Sequence, residues 1–124
     1  MWDGAATRAR RAEAKANLET AGEQDRRLRL ALGLELEQAR LALLEASERL
    51  AVTAKVVAQA AESVEITRSR FEQGLALSTQ LIDAETALVA ARVRRAEAEA
   101  DHRIAAAAVR KAIGLPQLES SAKP

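Results

Sequence analysis

Apolar and small residues recur along this chain in alternating steps of three and four. Leu32, Leu36, Ala39, Leu43, Ala46, Leu50, Thr53, Val57, Ala60, Val64, Thr67 and Phe71 keep that rhythm without a slip. Sustained over so many turns, it predicts a helix carrying a coiled-coil seam on one face. Upstream, Ala14, Leu18, Ala21, Asp25, Leu28 and Leu32 form a second run, joined to the first by two consecutive steps of four. Such a stutter locally unwinds a supercoil, so a change of partner is expected near Leu28–Leu36. Downstream, Leu81, Ala84, Leu88, Ala91, Arg95, Ala98, His102, Ala105, Val109 and Ala112 repeat the seam spacing. The expected fold class is all-α, a long antiparallel helical hairpin with coiled-coil-like packing. Residues 1–73 form its long helix, 74–78 the tip, 79–113 the shorter helix and 114–124 a polar tail.

The tip is placed by backbone chemistry. Gly74 accepts the left-handed conformation that ends a helix, because it has no Cβ to clash. Ser78 or Thr79 then offers a side-chain oxygen to cap the next helix, as Asp3 does for the first. Asp83 and Glu85 suit the positive end of the second helix, and Arg110 and Lys111 its negative end. Gly114 followed by Pro116 is a strong stop. The run from Leu28 to Leu36 alternates as a strand would. Its flanks are helical on both sides, and Glu23/Arg27, Asp25/Arg29 and Glu45/Arg49 are helix-type pairs, so it is read as helix.

Each helix carries a further apolar stripe. Leu30, Leu34, Leu41, Leu44 and Ala51 mark it on the first, and Ala90, Val93, Ala100, Ile104 and Ala107 on the second. Two stripes call for two neighbours. The first helix should span roughly 105 Å and the second roughly 50 Å at about 1.5 Å per residue. Folded back from the tip, the second covers the first only to about Arg40. The chain is therefore expected to be incomplete or obligately oligomeric, with another chain or segment over the apolar part upstream.

Composition narrows the function. The 124 residues include one Trp, one Phe, one Met and no Tyr or Cys. So few large side chains favour a close-packed helical layer over a globule. A formal net charge of +1 implies no strong field toward nucleic acid or a membrane surface. No run reaches the ~18 apolar residues of a membrane helix, and no export signal is expected at the N-terminus. His102 is the lone histidine and is read as a half-buried seam residue, not a metal ligand. Glu97 and Asp101 share a face and are read as a solvated stripe, since no cleft can be argued beside them. Arg92, Arg94 and Arg95 lie beside Glu97 and Glu99, which argues against a nucleic-acid site. No catalytic, metal or cofactor residues are expected, and the chain is not read as an enzyme.

Several short motifs, in this order and spacing, resemble the TolC-like outer-membrane efflux protein family. Met1-Trp-Asp-Gly-Ala-Ala-Thr-Arg-Ala-Arg resembles the segment where the family chain leaves its β-barrel and enters a periplasmic helix. Arg70-Phe-Glu-Gln-Gly74 resembles the helix end before the hairpin tip, and Leu81-Ile-Asp-Ala-Glu-Thr-Ala-Leu88 the helix start after it. Asp101-His102 stands where Asp-Tyr is usual, and Val109-x-x-Ala-Ile-Gly114 is similar to the closing motif. The resemblance implies the last helical hairpin of the family's second repeat, without barrel strands, first repeat or signal peptide. It also implies a trimeric channel in the outer membrane and periplasm, working with a membrane-fusion adaptor and indirectly with an inner-membrane pump. Gln73, Gly74 and Leu75 would then be the adaptor-docking tip, and Phe71 and Ala76 would lie by the entrance constriction. Neither Phe71 nor Ala76 offers a side-chain hydrogen bond, so a polar lock would draw on Arg68 or Arg70.

Two other readings fit the same pattern. A free-standing coiled-coil hairpin would serve as a structural or oligomerisation module. A helix lying on a lipid surface is disfavoured, because one Trp and one Phe provide few interfacial anchors.

Overall fold

The computed structural model describes residues 2–114, so the tail expected over most of 114–124 lies outside the described residues. Two helices account for nearly all of them, α1 over Trp2–Glu72 and α2 over Ser78–Ile113, and there is no strand among the described residues. The all-α hairpin is thus the observed fold. The alternating run from Leu28 to Leu36 is helical. Its helical flanks and i,i+4 pairing prevail over local alternation, and Asp25–Arg29 closes at 3.2 Å.

The chain divides into two compact units, Met1–Glu37 and Gln38–Pro124. In the first, residues 3–35 are all exposed, including Leu18, Leu28, Leu30, Leu32 and Leu34. Asp3 lies within the first turn of α1 rather than before it, so it is not the cap expected there. Its carboxylate still suits the positive helix end, and its backbone carbonyl accepts a bond from Thr7 Oγ1.

The second unit is the hairpin. From Ala39 to Thr67 every predicted seam position of α1 is buried or half-buried. On α2 the same holds from Leu81 to Ala112, apart from Arg95. Arg95 turns its guanidinium to Glu99 Oε1 at 3.2 Å and leaves the seam line. Thr53 and Thr67 fit an apolar seam because their hydroxyls bond back to the preceding turn, on Arg49 and Leu50 and on Ser63.

Ala46, Val64, Ala91 and Ala98 are the buried hydrophobic core, and no large side chain is fully buried among the described residues. Small residues let the two backbones approach closely, but they bury little area. Stability of this hairpin therefore depends on close fit more than on bulk. The second stripes remain in solvent except at Ala107, which is half-buried, with Leu41, Leu44, Val93 and Ile104 all exposed.

Candidate functional site

The turn between the helices is built mainly from backbone hydrogen bonds. Gly74 has φ 74, in the left-handed region that glycine adopts without steric cost. Its N–H donates to Phe71 O at 3.0 Å, and the Leu75 N–H donates to Arg70 O at 2.8 Å. Those two bonds, closing 5→2 and 6→1, define a Schellman motif and satisfy carbonyls that the helix end would leave open. Gln73 is pinned twice to Ser69, through its backbone N–H to the carbonyl and through Nε2 to Oγ.

The start of α2 departs from the expected cap. Leu77, not Ser78 or Thr79, occupies the N-cap position, with φ −78 and ψ 152. Leucine has no oxygen to offer, so the capping comes from the other direction. Gln80 Oε1 accepts the Leu77 backbone N–H at 2.9 Å, half of a capping box. Ser78 is the first helical residue instead. Counting from it places Asp83 and Glu85 beyond the first turn, which holds no acidic residue.

These constraints leave an apolar tip in solvent. Leu75 is 65% exposed, Leu77 68% and Phe71 42%, while Ala76 is half-buried. A Schellman motif usually packs its C″ residue on an apolar side chain at C3 or C4. Here the C″ residue is Leu75, and Arg70 and Ser69 stand at C3 and C4. Arg68 and Arg70 are both exposed and differ in their surroundings. Arg68 reaches Glu65 at 3.4 Å and crosses to Glu85 of α2 at 3.1 Å.

Sequence reasoning missed Glu85 as a partner of Arg68, and Arg49–Asp101 as its counterpart farther from the tip. An i,i+4 rule finds pairs on one helix. Pairs between helices need the register. His102 is half-buried in the seam, and no cluster able to hold a metal occurs among the described residues. Among the described residues no helix is long and apolar enough to cross a membrane.

A sequence model of the outer membrane efflux protein family matches residues 2–115. The chain belongs to that family. A search of curated proteins and one of solved structures each returned no match. As a member, the chain is a component of outer membrane efflux, in a family of channel and transport proteins rather than enzymes. Efflux proteins of this family are generally trimeric, reside in the outer membrane and periplasm, and work with adaptor proteins. The hairpin described above is thus a piece of transport machinery.

Proposed function

We propose that this hairpin forms part of the periplasmic tunnel wall of a trimeric efflux or secretion channel, and that Gln73, Gly74 and Leu75 dock a membrane-fusion adaptor. The carrying observation is Leu75, held outward by the Schellman bonds with no apolar residue at C3 or C4. A large apolar side chain on a rigid, exposed turn suits a docking contact, because little conformational freedom is lost when it binds. The apolar stripes on the sides of the hairpin suit neighbouring hairpins in the wall. Phe71 and Ala76 would lie by the entrance constriction, with Arg68 and Arg70 its polar groups. The inner-membrane pump would act through the adaptor.

Leu75→Glu tests docking without touching the seam. Its probe is the membrane-fusion adaptor encoded nearest to this chain's gene, in a pull-down with the full chain. Association is expected to fall about tenfold or more, as for a central apolar contact. Lys55→Glu, at an exposed polar position on the side of the hairpin, is expected to leave adaptor capture intact. Capture of the Leu75→Glu chain at the normal level, with helicity preserved, would remove the tip from the docking surface. Gly74 is the poorer test position, since any side chain there is strained at φ 74 whatever the partner does.

A further inference from the structure

Arg68 and Arg70 stand two residues apart at the tip, in different electrostatic states. Arg68 spends two of its donors inside the hairpin, Nη1 on Glu65 Oε1 and Nη2 on Glu85 Oε1. Arg70 has no carboxylate within ion-pair distance among the described residues. We infer that the two guanidiniums divide the work of the tip. Arg68 is a positioning residue that braces α2 on α1, and Arg70 is the cation that meets a carboxylate on the docking adaptor.

The inference rests on the docking reading above and adds the chemistry of the partner. Arg70 is the C3 residue of the turn whose C″ residue is Leu75, and the Leu75 N–H donates to the Arg70 carbonyl at 2.8 Å. Arg70 therefore holds a position that often carries an apolar side chain folded onto the C″ residue. The result is one turn offering an exposed apolar group and an unpaired cation together. Its complement is an adaptor tip with an apolar side chain for Leu75 and an aspartate or glutamate for Arg70. Guanidinium and carboxylate pair through parallel hydrogen bonds, which add direction to a greasy contact. Arg68 lies instead on the flank, beside a shallow groove lined by Ala61, Val64, Glu85, Leu88 and Arg92.

The test uses the full chain with the same adaptor as probe, and it reads binding at two salt concentrations and thermal unfolding by circular dichroism. Arg68→Gln and Glu85→Gln are each expected to lower the melting temperature slightly and to weaken binding by about two- to fivefold, as for an exposed pair. The double variant should be no worse than either single one, because both remove the same brace. Additive losses in melting and binding would overturn the brace. Arg70→Gln is expected to weaken binding about fivefold and flatten its salt dependence, with melting nearly unchanged. Normal binding with normal salt dependence would assign Arg70 to the helix end alone and overturn its role. If the unaltered chain captures no adaptor, the docking reading fails and Arg70's role with it. The brace is then still decided by the melting cycle.

Discussion

Arg49 and Asp101 lie 52 residues apart in sequence and meet across the hairpin, Nη1 of the guanidinium donating to Oδ2 of the carboxylate at 3.3 Å. Arg49 also reaches back to Glu45 at 2.8 Å, so it joins both helices as Arg68 does nearer the tip. These ties stand about five turns apart on α1. Each is half in water, where an ion pair contributes at most about 1 kcal/mol. They fix which residues face each other, while the small-residue seam between them supplies the packing.

Overfilling that seam should therefore be costly. Ala98 is only 1% exposed, and Ala98→Leu is expected to destabilise the hairpin by about 1–3 kcal/mol. Ala100→Leu, two residues away on the exposed face, should stay within about 0.5 kcal/mol of the unaltered chain. Urea unfolding followed by circular dichroism compares the two.

Glycine-to-alanine changes should differ in sign along the chain. Gly33 is exposed inside α1 with open space around it, so Gly33→Ala is expected to stabilise the helix by about 1 kcal/mol. Gly74 has equally open space but φ 74, so Gly74→Ala should destabilise the turn by about 1–2 kcal/mol. Melting temperatures moving in the same direction for both would contradict this account of the tip.

The N-cap of α2 has room for improvement. Leu77 provides no side-chain acceptor and is largely exposed, so Leu77→Asp should gain about 0.5–1 kcal/mol by capping a free N–H. Gln80→Ala should lose a similar amount, since Gln80 Oε1 holds the Leu77 N–H. Amide exchange over residues 77–82 reports both changes locally.

The exposed stripes predict self-association. Val52 and Ile104 are exposed on the hairpin's sides, and the isolated chain is expected to form dimers or larger species. Val52→Lys with Ile104→Glu should shift it toward monomer in light scattering. A monomer at all concentrations for the unaltered chain would show that these faces need no cover.

The sequence by itself determined both helices, the turn at Gly74 and the seam from Ala39 to Thr67 and, Arg95 apart, from Leu81 to Ala112. The predicted seam positions from Ala14 to Leu32, and Phe71, are exposed instead. Steps of three and four specify which residues share a face of a helix, and left-handed backbone at a helix end favours glycine strongly. The family was legible too, in short motifs at the right spacing. The tertiary structure decided what depends on where the second helix lies. It placed Glu85 beside Arg68 and Asp101 beside Arg49, which no spacing along one helix foretells. It placed the N-cap at Leu77 rather than at Ser78 or Thr79, with Gln80 Oε1 accepting the Leu77 N–H. It also sent Arg95 out of the seam, toward water and Glu99, where a guanidinium need not be desolvated. Periodicity along a chain records faces; only folding brings two faces together and shows which polar groups find partners.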